Sequence, residues 1–180
     1  MRSRALRAIF GSVGAAVLLA AGLIGNATPV AAAPQYHSWF TFVKGKAPMG
    51  TLYWTVQRVS PDPPVTVVSK HWTAGSGTGS SDDCYTNNGW LPDGSYSVTL
   101  YPDFNGSQIQ GIAFELSDHW CSKHTVKRTA LFIHTRNPWN GYTTNGCIKL
   151  KPSDIKAARD AFEAYNKARV TYSNKLLVTH

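Results

Sequence analysis

Beyond about residue 33 the chain alternates apolar and polar residues over short runs. His37–Val43 and Leu52–Val59 (LYWTVQRV) are examples, rich in aromatic and β-branched side chains. Period-two alternation of this kind predicts half-buried strands. Val65–Ser69, Ser95–Tyr101, Gln110–Leu116 and Thr129–His134 read the same way. Turn signals separate them: the prolines from Pro61 to Pro64, Leu91-Pro92-Asp93-Gly94 and Asn105-Gly106. Glycine accepts positive φ and proline presets a corner, so these steps favour reversal of the chain. Gly75–Ser81 reads as a short flexible loop. Only Asp154–Ala168 carries a helical pattern, with Ile155, Ala158, Phe162 and Tyr165 on one face, Arg159, Glu163 and Lys167 on the other, and Ser153 as the expected N-cap. A last strand is expected around Val170–Val178. The pattern predicts a mainly β fold, a sandwich or partly closed barrel with one packed C-terminal helix.

The N-terminus follows different rules. Arg2, Arg4 and Arg7 precede an apolar run from Val13 to Ile24, then Gly25, Asn26 and the small residues Ala31-Ala32-Ala33. The run is about half the length a bilayer-spanning helix requires. The arrangement predicts a secretory signal over residues 1–32, cleaved after Ala32, and a single exported domain over residues 33–180 without stable membrane insertion.

Charge adds little specificity. Three of the eighteen basic residues lie in the signal and all ten acidic ones beyond it, so fifteen against ten leaves +5 on the mature chain. This mild surplus suits an anionic neighbourhood such as a bacterial wall. Lys123, Lys127, Arg128 and Arg136 are scattered rather than clustered, which argues against nucleic acid as a partner. The chain is expected to act as a monomer.

Three cysteines are an odd number for an oxidising compartment. Cys84 and Cys121 both fall in loop-like stretches, and a bridge between them would leave Cys147 free. Spacing alone leaves pairings through Cys147 open. A free extracellular thiol invites a chemical use. Thr129–Leu150 (TALFIHTRNPWNGYTTNGCIKL) delivers His134 at a strand end and Cys147 after a polar loop. A thiolate is the attacking species, and a histidine takes or stabilises its proton near neutral pH.

This stretch resembles the signature of YkuD-type L,D-transpeptidases: a strand ending in His, a loop, then Ser-His-Gly-Cys followed by Ile/Val-Arg. The matching residues are His134, Thr144-Asn145-Gly146-Cys147 and Ile148-Lys149-Leu150. Leu91-Pro92-Asp93-Gly94-Ser95-Tyr96 is similar to the family's Thr-Pro-x-Gly-x-(Tyr/Phe) turn. Asn145 stands where the family has a second histidine, Lys149 where it has arginine, and the His-to-Cys spacing is shorter. The resemblance covers about residues 65–150 and implies acyl transfer on peptidoglycan stem peptides. Cys147 would attack the carbonyl of the third, diamino-acid residue and His134 would act as its base. The Thr135 carbonyl would fix the His134 tautomer, and amides at Gly146 and Cys147 would hold the oxyanion. Asn145 would orient the loop. Lys149 and Arg128 would meet stem carboxylates, with Trp90 and Trp139 as contacts beside the site.

Other readings compete at single residues. His119, Cys121 and His124 invite zinc, but their spacing is not a regular ligand pattern, so neither metal nor other cofactor is expected. Papain-like wall hydrolases place cysteine before histidine. Sortases have a longer gap and a Thr-Leu-x-Thr-Cys motif. A second class of function, a secreted wall-binding or inhibitor module without turnover, draws its support from Asn145.

Overall fold

The computed structural model describes residues 34–60, 63–166 and 175–180. The signal segment and its cleavage site, the end of the expected helix and the start of the expected last strand lie outside the described residues.

Strands β1 (Gln35–Lys44) and β2 (Met49–Ser60) pair antiparallel, Phe40 against Trp54 and Phe42 against Leu52. β2 continues antiparallel to β3 (Val65–Ser76). The other edge of β1 takes β10 (Lys175–Thr179) in parallel, and β10 pairs antiparallel with β4 (Gly94–Asn105). From β4 the sheet runs through β5 (Gln110–Leu116) and β8 (Leu131–His134) to β9 (Ile148–Lys149), the β8–β9 pair being parallel. Gly75 and Ser76 of β3 then pair with Lys149 and Ile148, so the eight strands close into a ring. β6 (His119–Trp120) and β7 (Lys127–Arg128) form a separate two-stranded ribbon.

Inward-facing residues fill the ring: Phe40, Leu52, Trp54, Phe114, Ile133, Ile148 and Leu176 are fully enclosed. Helix α1 (Pro152–Asn166) contributes Phe162 to this core. Its ring lies 5.9 Å from Phe40, 5.4 Å from Trp54 and 5.4 Å from Phe114. Since β5 is three strands from β1 around the ring, one side chain joins opposite walls. Burying such a side chain is worth roughly 1.5–3 kcal/mol. The fold is mainly β with one packed helix.

Four boundaries differ from the sequence expectation. The helix begins at Pro152, with the Asp154 and Ile155 amides donating to the Lys151 carbonyl at 3.0 Å each, so Ser153 lies in the first turn and is not the N-cap. Proline suits that first position because its missing N–H has no partner there anyway. β4 runs past Tyr101 to Asn105, and Pro102 is accommodated where the register shifts between Tyr101 and Phe104. β3 extends to Ser76, so the expected flexible loop starts as strand. Gly75 is needed there, since a Cβ would sit 2.5 Å from the Tyr142 carbonyl oxygen. The Ile148-Lys149 pair is itself a strand, too short for alternation to reveal.

Candidate active site

The register of β8 and β9 decides which side chains meet. Ile133 pairs with Ile148 and His134 with Lys149, while β5 sets Phe114 against Ile133 and Ala113 against His134. Successive strand residues face opposite ways. Ile133, Ile148 and Phe114 therefore point into the core, while Phe132, His134, Lys149 and Ala113 share the outer face. Cys147, two residues before Lys149, belongs to that face and packs with Ala113 and Phe132. His134 at the end of β8 and Cys147 immediately before β9 thus share one outer face, at diagonal positions.

Both are buried, with 8% of each exposed. The carbonyl of Thr135 accepts a hydrogen bond from His134 Nδ1 at 2.8 Å, which leaves Nε2 as the ring's free lone pair. Burial pushes the His134 pKa down to about 4, with the Lys149 and Arg136 charges adding to the shift and the Thr135 carbonyl opposing it. Burial likewise pushes the Cys147 thiol up to about 11, against the Phe132 amide and the Arg128 charge. At rest both groups are neutral. The thiol donates to the Ala130 carbonyl at 3.7 Å, and Ala130 holds a left-handed φ of 52°.

The turn before the cysteine is organised by Thr144. Its Oγ1 accepts from the Gly77 and Gly146 amides at 3.0 Å each and donates to the Cys147 carbonyl at 2.7 Å. The Gly146 amide, expected to face an oxyanion, is turned to that hydroxyl. Gly146 adopts φ 107°, and a Cβ there would lie 1.9 Å from Arg128 Nη2. Ser76 Oγ, at the end of β3, accepts from the Leu91 amide at 2.9 Å and donates to the Gly146 carbonyl at 3.4 Å.

The remaining expected residues fall into four places. Asn145 is exposed, and its carbonyl accepts from Arg128. Lys149 is buried, its ammonium donating to Asn140 Oδ1 and to the Thr143 carbonyl, 5.3 Å from the Trp139 ring centroid. Trp139 is half-buried and packs edge-on against Tyr142. Lys149 thereby ties the loop after His134 to the outer face. Trp90 is enclosed elsewhere, under Lys44 and stacked on His180; its carbonyl reaches the site only through Arg128. Arg128, expected to meet substrate, is 4% exposed and donates to main-chain carbonyls.

Cys84 and Cys121 form a disulfide, which leaves Cys147 as the free thiol. Cys84 and Cys121 lie close to Asp83, but both sulfurs are spent on the bond, which removes Cys121 as a zinc thiolate beside His119 and His124. Two surface concavities of about 300 and 240 Å3 are lined by other residues, Lys44, Asp82 and Asp93 in the larger and Thr99 and Glu115 in the smaller. Sequence reasoning missed Thr144 as a hub, although it stands within the motif. It also missed Ser76 and the Ala130 carbonyl, for which no local signal exists.

Among the described residues, no helix is long and apolar enough to cross a membrane. No protein-family model and no curated protein sequence matches the chain. Among solved structures the chain is similar to that of Bdellovibrio bacteriovorus Bd1075, at 14% identity and a TM-score of 0.45, over 78% of this chain and 47% of that one. The chain thus spans about half the length of that protein, and a likeness of this size carries no functional argument.

Proposed function

We propose that the protein is an exported cysteine acyltransferase acting on peptidoglycan stem peptides, as an L,D-transpeptidase or L,D-carboxypeptidase. The observation that carries the reading is a shared outer face: the free thiol of Cys147, immediately before β9, lies on the same face as His134 at the end of the paired strand β8. The imidazole has its Nδ1–H tied to Thr135, leaving Nε2 to accept a proton. The order of His134, Asn145, Gly146 and Cys147 supports it through the resemblance to YkuD-type enzymes.

In this reaction Cys147 Sγ bonds to the carbonyl carbon of the third stem residue as its proton passes to His134 Nε2. Collapse of the tetrahedral adduct breaks the amide bond to the terminal D-Ala, whose amine leaves with the proton from His134. The thioester passes to an amine of a second stem, forming a crosslink, or to water. Because both groups rest neutral, proton transfer accompanies attack. The buried thiol must also leave the Ala130 carbonyl to reach substrate. Trp139 and the loop held by Lys149 follow His134 in the chain and would border the acyl site. The N-terminal pattern supports export, and the mild positive surplus together with the family resemblance supports a wall location.

Purified muropeptides test the reading: release of D-Ala and a covalent adduct on Cys147 are expected, and a carbapenem serves as a mass-shift probe of the same thiol. An unmodified thiol with untouched tetrapeptides would sink it.

One observation favours a second reading, a wall-binding or inhibitor module without turnover. The thiol is raised to about 11 and turned to a main-chain carbonyl, and the imidazole is lowered to about 4. Wall binding that survives Cys147→Ser, with no turnover by the native protein, decides for it.

A further inference from the structure

Arg128 makes three hydrogen bonds near the thiol, and its contacts have an unusual composition. Nη1 donates to the Asp83 carbonyl at 2.6 Å and to the Trp90 carbonyl at 3.4 Å; Nη2 donates to the Asn145 carbonyl at 3.1 Å. All three acceptors are main-chain oxygens. Two belong to the loop that carries Cys84, and the third to the turn that carries Cys147. The first loop is itself pinned twice. The Cys84–Cys121 disulfide holds it, and the Asp83 carboxylate accepts from the Ser122 amide at 3.1 Å and from Ser122 Oγ at 2.8 Å.

The guanidinium is therefore a bolt between a cross-linked loop and the nucleophile turn. Gly146 makes room for it, since a Cβ at that position would overlap Nη2. Charge is the second part of the argument. Among the described residues no carboxylate lies within ion-pair distance of Arg128; main-chain carbonyl dipoles meet the buried cation directly, and the Asp83 carboxylate, itself held by Ser122, acts on it only from farther off. Buried charges are ordinarily paired. The anion that would complete this one is the thiolate of Cys147, next to Gly146.

We infer that Arg128 is the positioning residue of the Asn145–Cys147 turn and the buried counter-charge of the Cys147 thiolate, and that it does not receive substrate carboxylates. The inference rests on Cys147 acting as a nucleophile. Its pH behaviour depends on the charged and titratable groups of the site. Arg128 on β7 acts on the thiol, and His134 on β8 shares its face. Lys149 on β9 and Arg136 after β8 act on the imidazole, and Asp83 in the disulfide loop and the Tyr96 phenol on β4 act on Arg128. Tyr96 is kept neutral by burial, and Lys149 and Arg136 act on the imidazole, so Arg128 is the cation that acts directly on the sulfur.

The test is the rate at which iodoacetamide alkylates Cys147 in the folded, disulfide-bonded protein across pH, compared for native protein, R128K and R128M. Loss of the charge in R128M is expected to move the profile alkaline by about one pH unit, which is about a tenfold slower reaction below the thiol pKa. R128K keeps the charge and is expected to stay near the native profile. It loses the three-way grip, so amide exchange at Gly146 and Cys147 accelerates. A folded R128M with the native profile, or one alkylated faster at every pH, overturns the inference. The second outcome would mean that Arg128 merely keeps the turn closed. Should R128M not fold, R128Q keeps an amide donor in the same space and must show the same alkaline shift. Alkylation reads the thiol directly, so inertness toward muropeptides would sink the acyltransferase reading and leave this inference standing. An unchanged profile would do the reverse.

Discussion

Residues 131–134 of β8 and the stretch Cys147–Leu150 around β9 supply two different environments from one pair of neighbouring chain segments. Their inward residues, Leu131, Ile133, Ile148 and Leu150, complete the ring's apolar core. Their outward residues, Phe132, His134, Cys147 and Lys149, are also buried, yet three of the four are titratable. Burial therefore has opposite consequences on the two sides. Inside, it removes apolar surface from water and stabilises the fold. Outside, it suppresses charge, holding the imidazole and the thiol neutral. The comparison teaches that the imidazole and the thiol are buried in their uncharged forms while the neighbouring Lys149 ammonium is held by Asn140 and Thr143, and that the proposed chemistry requires the thiol to give up its neutral state.

The sharpest way to separate the two faces is to cut each once. Cys147→Ala is expected to reduce D-Ala release from muropeptides to background while leaving the midpoint of urea unfolding close to native. Retained turnover in that variant would remove the outer face from the chemistry. The inward counterpart, Ile133→Ala, is expected to lower stability by about 3–4 kcal/mol through lost burial and a residual cavity. Urea unfolding measures it.

The disulfide comes next. It closes a loop across a sequence separation of 37, and its loss through the double Cys→Ser variant at Cys84 and Cys121 is expected to remove about 3–4 kcal/mol. Calorimetry of the variant against native protein reports this, and a change below about 1 kcal/mol would show that the loop is held without it.

The pH dependence of stability follows from the suppressed charges. His134 titrates near 4 folded against an ordinary 6.5, so between those values the unfolded chain binds the extra proton. Its contribution, at most about 3 kcal/mol, is present above pH 6.5 and is lost as pH falls through 4. Cys147 behaves in mirror image. Its raised pKa gives a similar contribution that is full below pH 9 and is lost as pH rises through 11. Native protein should therefore be most stable between these limbs. His134→Gln should flatten the acid limb and Cys147→Ala the alkaline one. Unchanged limbs would contradict the burial argument.

The smallest effect is expected at Asn145. Its side chain is exposed and only its carbonyl is engaged, so Asn145→His should change stability by less than about 0.5 kcal/mol. A large loss would mean that the amide side chain orients the turn after all.

Much of this arrangement was legible in the chain itself. β5 was readable to the residue, because its alternation and flanking turns are local. The helix face was readable from Ile155, Ala158 and Phe162, although its start was misplaced because Pro152, not Ser153, sets it. β9 was not readable, since two residues cannot display a period; it is a strand only because β8 and β3 flank it. At the site, His134 and Cys147 stood out by chemistry and order. Arg128 stood out only as a cation, and its acceptors at Asp83, Trp90 and Asn145 lie 45, 38 and 17 positions away.

The sequence by itself determined the mainly β character, the single helix, the odd cysteine and the histidine that precedes it. Each depends on side-chain periodicity or residue type within a few positions. Only the tertiary structure decided that Cys84 pairs with Cys121, that His134 and Cys147 share an outer face, that both rest neutral, and that Arg128 is spent on the backbone. These depend on which distant segments exclude water from one another. Burial and electrostatics belong to that contact, not to any stretch of chain alone.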